Sequence, residues 1–237
     1  ALAALARRRQ ALAGVGRAAE AQLVQASAVL LAARNDRAAV AVDLGVQVLA
    51  AQPPVDAEIQ LQLRHLLADV EFERAGMGPA LAVLGDGQGA PDVAKRYELA
   101  VRADDAQAAE RWRTQLASGT GEELLALASA DERLERFAEA LPLLERALAA
   151  DPGSSELRFR TATALERTGR IEDSVRTFAA LIVSEPDHAP ALNYLGYMQI
   201  ERGAEVEQGL ALVRRALQVD PNNGAYVDSL GWGLYRL

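Results

Sequence analysis

The stretch AEALPLLERALAADP, at Ala138–Pro152, shows the pattern that decides the fold of the second half of the chain. Its alanines Ala140 and Ala147 stand seven residues apart, and helical periodicity places them on one face together with Leu144. Small residues at such positions let two helix backbones approach closely. The stretch therefore predicts a helix that packs tightly against its neighbours and ends at Pro152.

The acidic residue followed by proline recurs at nearly constant spacing. Pro152, Pro186 and Pro221 are separated by 34 and 35 residues, and each follows an acidic residue. A segment of helical period precedes each proline and another follows it, which predicts an antiparallel helix hairpin repeated about every 34 residues. The longer spacing predicts one extra residue in the turn around Gly203–Glu207.

Composition favours helices and excludes several functions. Of the 237 residues 50% are hydrophobic and only 5% aromatic, and alanine and leucine dominate, which favours an all-α fold. A net charge of -8 argues against a nucleic-acid partner. The chain has no cysteine, and no stretch approaches the roughly 20 apolar residues that cross a bilayer.

No catalytic or metal-binding motif is present. His65 and His188 are far apart and lie in neither an HExxH nor an HxH arrangement. The GDGQG stretch at Gly85–Gly89 lacks the preceding strand and the downstream GK[ST] of a phosphate-binding loop. We therefore predict a protein that is not an enzyme and that has no catalytic residue, cofactor or metal ion.

The repeated segments of Gly121–Leu237 resemble the tetratricopeptide repeat, which has a leucine followed by a small residue in its first helix and two small residues in its second. This resemblance implies an all-α, right-handed α-solenoid of antiparallel helix pairs. One unit departs from the pattern, and there we expect a locally wider helix crossing. The matching residues are Leu127-Ala128, Leu195-Gly196 and Leu230-Gly231 with Ala140/Ala147 and Gly209/Ala216, and the departing ones are Thr161-Ala162 and Ser174/Leu181.

The first half follows the same organisation less clearly. Residues 1–120 are predicted to form degenerate helical repeats, and residues 121–237 clear tetratricopeptide repeats that end in an incomplete unit. The whole is predicted to be one continuous solenoid. We expect six helix pairs between about Glu20 and Pro221, an N-terminal helix at Leu2–Arg17, and an unpaired helix at the C-terminal end.

The resemblance implies a concave groove, lined by the first helices, that holds a peptide or a partner protein. Packing between repeats is the competing interpretation of the aromatic side chains. The groove has almost no positive charge, which disfavours the acidic tails of chaperones as ligands. Aligning the first helices gives as ligand-binding candidates Phe159, Asn193, Tyr197, Asp228, Trp232 and Tyr235.

The last 46 residues, from LNYLGYMQIERG to the end, also resemble bacterial cell-envelope repeat lipoproteins. This resemblance implies a scaffold in envelope assembly or in recruitment of a periplasmic processing protease, located in the periplasm or at the outer membrane, with the cytoplasm as the alternative location. A lipid anchor would lie upstream of this chain. The alternative is the repeat domain of a larger enzyme, such as a glycosyltransferase or protease, whose catalytic part lies elsewhere.

Apolar residues recur at helical spacing in the last helix, with no second helix after it to cover them. They are Val227, Leu230, Leu234 and Leu237. The pattern predicts that the natural chain continues or that another chain covers this face.

Overall fold

A computed structural model describes residues 1–14, 18–35, 37–51, 56–87, 89–203 and 205–237. This part of the chain forms fourteen α-helices and no strand, which confirms the predicted all-α fold. Contacts divide the chain into two compact units, Ala1–Ala126 and Leu127–Leu237, and the boundary falls inside a helix. The prediction of one continuous solenoid stays a prediction.

The first unit consists of consecutive helices that pack on their neighbours in sequence. Its apolar core is small-residue rich, with Val29, Ala32, Ala41 and Leu67 fully buried. The helices are α1 (Leu2–Gly14), α2 (Ala18–Ala33), α3 (Ala38–Leu49), α4 (Ala57–Ala75), α5 (Met77–Leu84), α6 (Ala90–Arg102), α7 (Ala106–Ala117) and the beginning of α8 (Glu122–Arg133).

Ion pairs join α4 to α6. The Lys95 ammonium group lies 2.7 Å from Asp69 and 3.0 Å from Glu98, and Arg102 lies 2.6 Å from Asp69. The Lys95 side chain is only 6% exposed, so these carboxylates compensate the charge that burial removes from water.

His65 belongs to the same helix interface. Its Nε2 atom lies 3.0 Å from Oδ1 of Asp92, a buried carboxylate in the first turn of α6. Burial lowers the pKa of His65 from its ordinary value, and it outweighs the opposing effect of the Asp92 carboxylate. The folded unit therefore favours the neutral form of His65 more than the unfolded chain does.

This burial makes stability depend on pH. As the pH falls below the ordinary histidine pKa of about 6.5, the unfolded chain takes up a proton that the folded chain does not, so the free energy of unfolding falls. The loss levels off below the folded pKa, at about 1.4 kcal/mol for each unit by which the pKa is lowered. His65→Gln should remove this part of the pH profile in urea unfolding between pH 5 and 8; parallel profiles for the two proteins would contradict the assignment.

The second unit contains the end of α8 and six further helices. They are α9 (Phe137–Ala150), α10 (Ser155–Arg167), α11 (Ile171–Ser184), α12 (Ala189–Arg202), α13 (Val206–Val219) and α14 (Gly224–Arg236). Contacts join α2 to α3, α4 to α5, α6 to α7, α10 to α11 and α12 to α13, and α1 also packs on α2. The predicted pairing of α8 with α9 stays a prediction. In the clear repeats, α8, α10, α12 and α14 are the first helices, and α9, α11 and α13 are the second helices.

The acidic residue before each proline ends a second helix. Asp151, Glu185 and Asp220 are the C-cap residues of α9, α11 and α13, with φ of -131°, -133° and -133° and ψ of 79°, 83° and 86°. A residue that precedes proline is sterically driven out of the helical conformation. The spacing of the prolines in the sequence is thus the spacing between the C-terminal ends of the second helices.

Each following first helix begins at a side-chain cap. The backbone N–H of Leu157 donates to the Ser154 hydroxyl oxygen at 3.2 Å, and that of Ala225 donates to the Asn223 amide oxygen at 3.1 Å. His188 caps α12 through Nδ1, which accepts from the backbone N–H of Ala191 at 3.1 Å. These caps satisfy backbone donors that a helix start leaves unpaired.

The helices α12 and α13 cross at two glycines. A Cβ atom added at Gly196 would lie 2.7 Å from the carbonyl oxygen of Gly209, and one added at Gly209 would lie 2.5 Å from that of Gly196. At the equivalent crossing of α10 and α11, the buried Ser174 hydroxyl donates to the carbonyl oxygen of Ala162 at 2.8 Å. The wider crossing expected there stays a prediction.

Some predicted features include residues outside the described part of the chain. The N-terminal helix expected at Leu2–Arg17 is observed to Gly14, and positions 15–17 are not among the described residues. The extra residue expected around Gly203–Glu207 falls in a turn that includes Ala204, which is also outside them, as is Gln88 of the GDGQG stretch.

The two-glycine crossing gives a matched pair of variants. Gly196→Ala should lower the free energy of unfolding by about 1–3 kcal/mol, because the new methyl group meets backbone that has no room to move. Gly231, at the equivalent position of α14, has nothing within 4 Å of an added Cβ. Gly231→Ala should therefore leave stability unchanged or raise it by about 0.5–1 kcal/mol. Equal urea midpoints for the two variants would rule out tight packing at Gly196.

Candidate functional site

The ligand-binding candidates lie on α10, α12 and α14 of the second unit. We call the side of these three helices that carries the candidates the groove face. Phe159 on α10 is half-buried rather than open. Its ring centroid lies 5.5 Å from that of Phe178 and 6.0 Å from that of Tyr194, both edge-to-face, and 5.8 Å from that of His188. Phe159 thus packs in the core between the repeats.

On α12, Asn193 and Tyr197 differ in their surroundings. The Asn193 side-chain oxygen is buried and has no hydrogen-bond partner among the described residues. Tyr197, one turn further along, is 43% exposed. The Asn193 oxygen is thus closed to solvent in the free protein, whereas the Tyr197 ring is open to it.

The candidates on α14 are exposed. Trp232 and Tyr235 are stacked with their ring centroids 5.5 Å apart, and Tyr235 is 78% exposed. Trp232 Nε1–H donates to Oε2 of Glu201 on α12 at 2.8 Å, which fixes the indole against the neighbouring first helix. Asp228 is exposed, one turn before Trp232.

An open cavity of about 260 Å³, which we call the groove cavity, lies on the groove face between α10 and α12. Tyr194, Tyr197 and Met198 form part of its wall, and Glu201 and Arg202 stand at its rim. Glu201 therefore connects the cavity to Trp232 and Tyr235, whereas Phe159 and Asp228 are not part of its lining.

A contact that was not predicted from the sequence joins consecutive first helices. The Tyr194 hydroxyl donates to Glu166 at 3.1 Å, and burial, together with this carboxylate, raises the pKa of Tyr194 to about 12. The equivalent pair in the preceding repeat is Arg160 with Glu132, whose closest atoms are 2.6 Å apart. The recurrence of glutamate at 34-residue spacing was a sequence signal for this contact.

The described residues meet the requirements of neither a metal site nor a membrane-spanning helix. No group of three His, Asp or Glu side chains among them is placed to hold a metal ion. None of the helices in this part of the chain is both long and apolar enough to cross a membrane.

Comparison with known proteins identifies the repeat. Residues 133–196 match the family model described as tetratricopeptide repeat. The TPR repeat-containing protein PA4667 of Pseudomonas aeruginosa is 29% identical over 85 residues, which cover 36% of this chain and only 14% of that protein. The crystal structure of a tetratricopeptide repeat protein from Parabacteroides merdae superposes with a TM-score of 0.54 at 11% identity, over 98% of each chain.

The repeated helix pairs and these similarities define a helical-repeat protein of the α-solenoid class. More particularly, residues 133–196 of the chain are similar to the tetratricopeptide repeat.

The contact between first helices has a direct test. Tyr194→Phe should lower the free energy of unfolding by about 0.5–1.5 kcal/mol, because it removes the hydrogen bond to Glu166 and keeps the ring packing. Tyr197→Phe is the matched control, since that side chain is 43% exposed. Chemical unfolding of both variants is the measurement, and an equal effect of the two substitutions would show that the bond to Glu166 adds no stability.

Proposed function

We propose that the chain is a non-catalytic adaptor that binds an extended segment of a partner protein on the groove face of its second unit. The tetratricopeptide fold suggests a scaffold for protein–protein interaction, and proteins with these repeats typically have no catalytic activity. The observation that carries the proposal is the set of exposed aromatic rings beside the groove cavity: Tyr197, Trp232 and Tyr235.

The groove chemistry favours an apolar ligand with backbone hydrogen bonds. A cavity of about 260 Å³ has room for one large apolar side chain of the partner, against Tyr197 and Met198. The Asn193 oxygen is buried and unpaired in the free protein, and after a change of its side-chain rotamer it accepts a backbone N–H of the same segment. Aromatic side chains of this kind dominate the energetics of protein interfaces because they bury a large area at a small entropic cost.

The charges at the cavity add a second element of recognition. The carboxylates of Glu166 and Glu201 already accept hydrogen bonds from Tyr194 and Trp232. Arg202 lines the cavity and makes no ion pair with any described residue. We propose that an acceptor group of the ligand, a carbonyl or carboxylate oxygen, pairs with Arg202.

The proposal is tested after the partner has been identified by pull-down and mass spectrometry with the intact protein. The double variant Tyr197→Ala/Trp232→Ala should weaken binding by about 2 kcal/mol or more in calorimetry, with the helical circular dichroism retained. Val183→Ala, which removes an 81% exposed apolar side chain of α11, should bind like the wild type. Wild-type affinity of the folded double variant would exclude the groove face as the binding site.

We further propose that this scaffold acts in the bacterial envelope, where it brings a periplasmic processing protease to its substrates. The support for this proposal is the resemblance of the last 46 residues to envelope repeat lipoproteins. Fractionation of cells that contain the natural protein should place it in the periplasm or at the outer membrane, and the protease should be cross-linked to it there. Recovery from the cytoplasm alone would contradict the envelope role.

A further inference from the structure

The repeat that departs from the pattern does so at two neighbouring positions of its first helix. In the other three repeats these positions hold aliphatic pairs, whereas α10 has Arg158 and Thr161. The aliphatic pairs at the same 34- or 35-residue spacing are Leu124/Leu127, Leu192/Leu195 and Val227/Leu230.

At these two positions α10 has polar side chains, whereas the other first helices have aliphatic ones. In the neighbouring first helix α12, Leu192 and Leu195 are 0% and 5% exposed and pack in the core. Thr161 is just as deeply buried at 3% exposed, but its hydroxyl oxygen has no hydrogen-bond partner among the described residues. A buried hydroxyl without a partner costs about 1–3 kcal/mol, so packing alone does not account for a threonine at this position.

Thr161 lines an open cavity of about 420 Å³ between α9, α10 and α11, which we call the outer cavity. Leu148 of α9 and Leu165 of α10 provide apolar wall, and Arg158, Arg170 and Arg176 are also part of the lining. On the helical wheel, Arg158, Thr161 and Leu165 point away from the groove-face position 159 of the same helix. The outer cavity is therefore separate from the groove cavity between α10 and α12.

The three arginines are held in place around the outer cavity. Arg158 donates from Nη1 to the Ser184 hydroxyl at 3.1 Å and from Nη2 to the Pro152 carbonyl at 2.6 Å, and it has no carboxylate partner among the described residues. Arg170 pairs with Glu145 at 3.1 Å and with Asp173 at 2.7 Å, and Arg176 shares Asp173.

The lining therefore contains three guanidinium groups and two carboxylates. This is a local excess of positive charge in a chain whose net charge is -8. The excess is carried by Arg158, which is oriented by neutral acceptors only and so keeps its charge available to an incoming anion.

We propose that the outer cavity is a second docking site, for an acidic and apolar segment of a partner protein. A glutamate or aspartate of the segment pairs with Arg158, and its aliphatic neighbour covers Leu148 and Leu165. The Thr161 hydroxyl donates to an oxygen of the segment and so gains the partner that it lacks. A protein segment fits better than a small molecule, because the cavity is open on one side and would leave a small ligand largely in water.

The test uses a phage library of random 12-residue peptides, selected on the wild-type protein and depleted on the double variant Arg158→Leu/Thr161→Leu. This variant restores the aliphatic pair of the other repeats and removes the unpaired hydroxyl, so its melting temperature should equal or exceed that of the wild type. The selection should enrich peptides with acidic residues next to aliphatic ones. Synthetic versions should bind the double variant at least tenfold more weakly in fluorescence anisotropy.

Further variants separate the two faces. The groove variant Tyr197→Ala/Trp232→Ala and the exposed control Arg214→Glu should bind the selected peptides like the wild type, whereas Arg158→Glu alone should give the same loss as the double variant. Four results would overturn the proposal: no enriched peptide, enriched peptides without acidic residues, equal binding to Arg158→Glu, or equal loss in the groove variant. The Arg158→Glu variant keeps the test valid if the double variant fails to fold.

Discussion

The second unit depends on how closely its helix backbones approach one another. At the crossing of α12 and α13, Gly196 and Gly209 leave no space for a Cβ atom on either helix. At the crossing of α10 and α11, the buried Ser174 hydroxyl spans the gap to the Ala162 carbonyl. The small residues fix the position of one helix on the next, and the leucines beside them fill the remaining volume. The surface positions of each first helix then follow from its packing, so the binding faces depend on these crossings.

This packing brings the first helices into register, and the same kind of contact recurs between them. Arg160 reaches Glu132 of the preceding first helix, and Tyr194 reaches Glu166 at the equivalent position of the next repeat. Trp232 reaches Glu201 on α12, although these two residues are not at the equivalent positions. Carboxylates that face the next first helix are thereby satisfied within the fold. Arg160 also neutralises Glu132, whereas Glu166 and Glu201 keep their negative charge because Tyr194 and Trp232 are neutral donors.

The sequence predicted the helix pairs because their signals are local: an acidic residue and proline stop each second helix, and small residues mark each crossing. It placed Phe159 among the ligand candidates from its helical register alone, and the structure packs that ring against Phe178 and Tyr194. Register gives the direction of a side chain, but its burial depends on which rings the next repeat contributes. The hydrogen bond from Trp232 to Glu201 could not be predicted from the sequence either. It depends on the side-chain rotamers of two residues whose helices meet only after folding.

The polar pair of α10 differs from these cases. The sequence alone shows that it breaks the aliphatic pattern, but only the structure shows what surrounds it. Thr161 visibly breaks the leucine pattern, but the sequence does not show that it lines an open cavity together with three arginines. A repeat protein of this kind gains stability from each unit that matches its neighbours, so a polar pair at an aliphatic position weakens the unit that carries it. Sites where local rules are broken without a compensating contact are where function is expected to outweigh stability. The unpaired Thr161 hydroxyl fits that description, whereas Ser174, which is as deeply buried, has its partner within the fold. The contrast between these two hydroxyl groups of one repeat is the reason to look for a ligand at the outer cavity rather than at the crossing.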